Sequence, residues 1–375
     1  MNEQYETVVE IAWLTLVLGG MALGLGAVAY VLIDGQGAGF FGTPLDPIWG
    51  VLVATYEFFV IVSGGLGLVA GVGRYLRLPG AGSCRGKGVQ VGWLALVTGL
   101  ATVTIEITSP MRLSLNADLN SAFPHVTAFA ALLFALYLGW LVVEYLTLRF
   151  AHPRLAFVAG LIGWGLALVA MWQLGRVLGH LEESPPWHDA GFWLRSTFSA
   201  LILGGAVLPL VPLLGGWLRH TAPPADPCRL VSSLGRLQCW ILPAYALYLA
   251  TTLVFGLGGT TNWAPLLLSG PLAGNFWGIE IAVGLLLPAL LLYWPGRTLR
   301  RVAIAGFFAV VGQYFMSYDR VVASQLAPIF AGGFPRIPGI FYFPSPIRGI
   351  MVVGAFAFFL FMWTLLEKDF PQDFL

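Results

Sequence analysis

Apolar runs long enough to cross a bilayer alternate along the chain with short clusters of Gly, Pro and charged residues, the pattern of repeated membrane crossings. Read this way, the chain predicts ten helices at about 8–33, 47–75, 89–109, 124–148, 154–179, 190–215, 235–257, 272–294, 299–323 and 345–366. Each is roughly 20 to 30 residues long, enough to span with some tilt. The second run, P-I-W-G-V-L-V-A-T-Y-E-F-F-V-I-V-S-G-G-L-G-L-V-A-G-V-G-R-Y at 47–75, stands out because it carries an acid within its apolar length. At the usual helical rise, Tyr56 and Glu57 lie about 10 to 12 Å along the helix from Trp49. A carboxylate at that depth must face a protein interior or cavity, lose its charge, or find a partner, so Glu57 is a functional-site candidate. The small residues Ser63, Gly64, Gly65 and Gly67 that follow let a neighbouring helix approach closely.

Composition agrees with this fold class, an all-α polytopic membrane protein. The 375 residues are 58% hydrophobic and 10% charged, with a mean hydropathy of +0.82, whereas a water-soluble globule is about a quarter charged. The formal net charge of +1 with scattered basic residues gives no footprint for nucleic acid. Cys84, Cys228 and Cys239 have no C-x-x-C spacing and no neighbouring His, so neither a zinc nor an iron–sulfur site is expected. The first span follows Glu3, Glu6 and Glu10 without a basic leader, which argues against a cleaved signal peptide.

Basic residues give the orientation. The connections after spans two, four, six and eight, with Lys368, carry thirteen Lys and Arg, and the opposite face carries six. The positive-inside rule then places both termini in the cytoplasm, in an inner (cytoplasmic) membrane, with Glu57 in the outer half of its span. W-G precedes an acid at both 49–57 and 277–280, and Gly-Gly recurs at 64–65 and 204–205. This weak repetition predicts a four-helix bundle over 1–150 holding the site, a second over 151–298, and two further helices over 299–375.

The polar residues of the outer half supply the candidate chemistry. Span three ends T-V-T-I-E-I-T-S-P-M-R and span four begins F-P-H-V-T-A-F, so Glu106 and His125 join Glu57 from consecutive helices. Two carboxylates and an imidazole can take two protons from a bound hydroquinone and pass them on. Tyr56 and Tyr137 add hydroxyls. Each also has a structural alternative: Glu57 as a helix–helix hydrogen-bonding group, Glu106 as the partner of Arg112, His125 as a helix cap, and Tyr56 as packing. Arg195, Glu280, Asp319 and Arg320 form a second set in the later spans, in which Arg195 and Glu280 read as an ion pair. Glu144 reads as solvated or paired with Arg149. A bis-histidine haem pair across the membrane is excluded, since His152, His188 and His220 fall in connections and His125 and His180 both lie near the outer boundary.

Three segments resemble the NrfD/PsrC family, the membrane subunits of polysulfide-reductase-type complexes: W-G-V-L-V-A-T-Y-E-F-F-V-I-V-S-G-G-L at 49–66, I-E-I-T-S-P-M-R at 105–112 and N-F-W-G-I-E-I-A-V-G-L-L-L-P at 275–288. Y-F-P-S-P at 342–346 before a last span is similar to the ten-helix members. The resemblance implies a subunit with no haem or iron–sulfur cluster of its own that binds menaquinone or ubiquinone. It would exchange electrons with a ferredoxin-like iron–sulfur subunit on the outer face, with a molybdopterin or other catalytic subunit beyond. By position, the resemblance puts Tyr56, Glu57, Glu106 and His125 on the quinone side, with Tyr137 nearby, and no metal ligands. The segment at 105–110 departs from the more usual acid-Leu-Gly-Arg-Pro of that family. Ten helices with buried acids also fit a secondary transporter or a proton-conducting protein.

Overall fold

The computed structural model of the chain describes residues 3–34, 50–75, 85–107, 123–150, 153–181, 191–218, 227–258, 264–294, 298–331 and 345–369. They form helices α1 (Glu3–Asp34), α2 (Val51–Tyr75), α3 (Arg85–Ile107), α4 (Phe123–Phe150), α5 (Pro153–Leu181), α6 (Gly191–Leu218), α7 (Pro227–Gly258) and the short α8 (Ala264–Leu268). Then come α9, which is π-helical over Asn275–Leu286 and α-helical over Leu287–Tyr293, α10 (Leu299–Ala331) and α11 (Pro346–Asp369). No strand forms among the described residues. Ten of these helices are long and apolar enough to span a bilayer, which makes the chain the multi-pass, all-helical membrane protein that its hydropathy predicts. Helices satisfy the backbone internally where lipid offers no hydrogen bonds.

Helix α2 is the centre: 94% of the core of its span is buried, against 22% for α1 and 28% for α11. It packs along α3 and α6 and touches α5 and α10. Around it α2, α3, α4 and α5 form one group, and α6, α7, α9 and α10 form another, joined through α2 against α6 and α10. Helix α1 packs chiefly on α11. The two Gly-Gly pairs explain the central contact. A Cβ at Gly65 would land on the Ala200 carbonyl, and one at Gly204 on the Gly65 carbonyl, so only glycine lets α2 and α6 approach this closely. At the flank, Gly24 of α1 abuts Gly354 of α11 in the same manner, and a Cβ at Gly20 would meet the Ala357 side chain. The seam between α1 and α11 is therefore matched by small residues.

Candidate functional site

Neighbouring residues of a helix point about 100° apart, and this divides Tyr56 from Glu57. Tyr56 turns within the first group, its ring edge-on to Phe134 of α4 at 6.3 Å between centroids. Glu57 turns toward the second group, where its Oε1 pairs with Nη1 of Arg320 on α10. Both side chains are fully buried. Such a pair is maintained only when each charge compensates the other, because removing one partner leaves the second desolvated without a counter-charge. Thr55 reaches the same helix through its hydroxyl, 3.1 Å from the Tyr314 hydroxyl.

The Glu57–Arg320 pair is part of a larger buried cluster. Arg195 of α6 pairs with Glu280 of α9 at 3.7 Å, as the sequence suggests, and it also lies within electrostatic reach of Glu57. The Tyr245 hydroxyl of α7 lies 3.4 Å from Oε1 of Glu280 and 2.8 Å from Sδ of Met316. Asn275 donates from Nδ2 to Oδ1 of Asp319 at 3.3 Å. Asn275 and Glu280 both stand on the π-helical part of α9, a winding that occurs often at functional sites.

The first group holds the remaining candidates at other places. Glu106 is buried on α3. Gly99 of α3 sits against Tyr56, Phe59 and Val60, so Glu106 lies about 10 Å farther toward the expected outer end than Glu57. Tyr137 is buried on α4 and donates its hydroxyl to the Ser63 carbonyl of α2 at 3.3 Å. The side chain of His125 lies outside the described residues, although its backbone belongs to the first turn of α4.

Two more buried ion pairs lie toward the opposite membrane face. Arg85 donates to Oε1 of Glu144 from Nε at 3.0 Å and Nη2 at 2.6 Å, and from Nη2 to the Ala156 carbonyl at 3.1 Å. Lys87 donates to Glu367 at 2.7 Å. These correct two expectations: Arg85 and Lys87 are buried in α3 rather than carried by a loop, and Glu144 pairs with Arg85 rather than Arg149. The sequence signal was the balance of acids and bases just inside the helix ends.

An apolar cavity of about 290 Å³ opens between α1, α2, α3 and α11, with Met21, Leu52, Thr102, Ile105, Met351 and Phe358 among its walls. The Thr102 hydroxyl already donates to the Thr98 carbonyl, so the walls offer hydrocarbon rather than hydrogen bonds. Ile105 brings this cavity next to Glu106 along α3. Among the described residues no group of three or more His, Cys, Asp and Glu gathers as a metal site.

In comparison with known protein families, the family described as polysulphide reductase, NrfD, matches residues 41–328. No curated protein matches the chain. The matched range covers α2 through most of α10 and so contains both groups of helices and the whole buried cluster.

Proposed function

The chain belongs to the NrfD family, whose members are membrane subunits of quinone-interacting oxidoreductase complexes, and we propose that it exchanges electrons between quinone and an iron–sulfur partner subunit. The family match carries this reading. The quinone is a lipid-soluble substrate, menaquinone or ubiquinone: an isoprenoid tail needs an apolar slot, and the cavity lined by Met21, Leu52, Ile105 and Phe358 offers one. Glu106 and His125 are our candidates for the residues that meet its head group at the first group of helices. Glu57 lies deeper and pairs with Arg320.

When hydroquinone is oxidised it loses two electrons and two protons. The protons pass to acceptors on this chain, for which Glu106, His125 and Glu57 are the candidates, while Tyr56 and Tyr137 shape the wall between α2 and α4. The electrons pass to a ferredoxin-like iron–sulfur subunit docked on the outer face, with a molybdopterin or other catalytic subunit beyond. Reduction follows the same path in reverse. A first four-helix bundle over 1–150 holding the quinone site, a second over 151–298 and two further helices over 299–375 remain part of this proposal. The membrane is the inner one and both termini face the cytoplasm, a reading supported by the distribution of Lys and Arg.

Gentle solubilisation and affinity purification test the proposal. The expected result is a stoichiometric iron–sulfur subunit and saturable binding of a quinone-analogue inhibitor. Solute uptake into liposomes by the chain alone, with no quinone binding, would overturn it in favour of a transporter.

A further inference from the structure

The buried cluster at the junction of the two groups contains, among the described residues, three carboxyls and two guanidiniums. Glu57 of α2 has Arg320, and Glu280 of α9 has Arg195. Asp319 of α10 is as deeply buried as either, at 1% exposure, but its bond is of another kind. Its Oδ1 accepts from the neutral Asn275 amide at 3.3 Å, its Oδ2 is buried and accepts no hydrogen bond among the described residues, and it forms no ion pair there. Glu280 on α9 and Arg195 on α6 lie within electrostatic reach of it; Glu57 on α2 and Tyr245 and Tyr248 on α7 in turn surround Arg195 and Arg320, the next residue on its own helix. Helix α8, which also packs on α10, brings none.

If all three acids were ionised, the cluster would hold one negative charge more than its cations balance. An uncompensated charge in a desolvated interior costs several kcal/mol, about as much as breaking a buried ion pair. A single bound proton removes that cost, and it is least disruptive on the acid with no guanidinium of its own. We propose that Asp319 is a proton-binding site of the second helix group, carrying a proton on Oδ2 that keeps the cluster neutral.

This placement has a chemical consequence, which rests on the reading above that Glu57 accepts protons. A proton gained by the Glu57 carboxylate deprives Arg320 of its counter-charge, and release of the proton from Asp319 Oδ2 restores the balance. One proton enters at α2 and one leaves at α10, with no change in the net charge of the cluster. Arg195, within electrostatic reach of both Glu57 and Asp319, is the group that senses both events.

The test is infrared difference spectroscopy on the full-length purified chain at neutral pH, comparing wild type with Asp319→Asn. The expected difference is loss of one protonated-carboxyl C=O band, and that band persists in Glu57→Gln and Glu106→Gln. Loss of carboxylate bands in its place would overturn the proposal. Asp319→Asn replaces one neutral group with another of the same shape, so its thermal midpoint should stay near wild type. Should that variant fail to fold, treatment of the wild-type chain with dicyclohexylcarbodiimide, an apolar reagent for protonated carboxyls, decides the matter by peptide mass: an adduct on Asp319 upholds the site, and its absence overturns it. No quinone enters either measurement, so failure here and failure of the quinone reading are separate results.

Discussion

Glu57 on α2 and Arg320 on α10 face each other with both side chains wholly enclosed by protein. The pair ties the central helix of the first group to the last helix of the second, so the acid that marks the site is held by a residue from the other half of the molecule. Arg320→Gln leaves the Glu57 carboxylate desolvated and without its ion-pair partner. We expect a loss of about 3–5 kcal/mol, read as a lowered thermal midpoint in detergent. The double variant Glu57→Gln/Arg320→Gln recovers a large part of it, and a double-mutant cycle with no coupling would refute the pairing.

The same logic applies at the other face. Lys87→Met alone removes the cation that contacts Glu367 at 2.7 Å and is expected to destabilise by about 3–5 kcal/mol. Lys87→Met with Glu367→Leu should lie much closer to wild type, as measured by thermal unfolding monitored through detergent-solubilised monodisperse protein.

Much of this architecture is legible in the sequence, and the divide falls at a definite place. Hydropathy finds the spans because each helix must meet lipid or protein with an apolar surface, and Glu57 stands out because charge in such a run is costly. Partner choice is a different kind of information. Nothing local in α2 says that Glu57 meets Arg320, or that Gly65 meets Gly204, since those contacts depend on how far one helix is rotated and shifted against another. The π-helical winding of α9 escapes for the same reason: N-F-W-G-I-E reads as an ordinary apolar helix until the hydrogen bonds are seen. Arg85 and Lys87 look like loop cations from their place in the chain, but α3 begins at Arg85 and buries both.

The α2–α6 crossing predicts its own variants. Gly65→Leu and Gly204→Leu drive side-chain atoms into backbone of the facing helix and should abolish recovery of folded protein. Gly19→Ala, at a position with no atom within 4 Å of the added Cβ, should leave yield and thermal midpoint unchanged. Equal behaviour of the two classes would contradict the crossing.

Filling the apolar cavity tests its assignment to the quinone tail. Ala101 lines it and is exposed, so Ala101→Trp should occupy the slot without straining the core. In the intact complex, the KM for a long-tailed quinol is expected to rise about tenfold, equivalent to ~1.4 kcal/mol, while kcat and the KM for a tail-less analogue stay near wild type. Equal losses for both substrates would rule out this role for the cavity.

Orientation is open to a labelling experiment. On the proposed orientation, Cys84 belongs to the cytoplasmic side and Asp118 to the outer side. In intact cells with the outer membrane made permeable, a membrane-impermeant maleimide should label an Asp118→Cys variant but leave Cys84 untouched until the inner membrane is opened. The reverse pattern would invert the molecule.

The seam at Gly24 and Gly354 joins α1 to α11, two helices separated in the chain by all the others described. During biosynthesis α1 enters the bilayer well before its mate exists, and everything from α2 to α10 is threaded in meanwhile. The small-residue face of α1 must therefore wait in lipid through the synthesis of most of the protein. Translation halted before residue 346 would release a molecule whose central helices can already be assembled, yet whose α1 lacks the helix on which it chiefly packs.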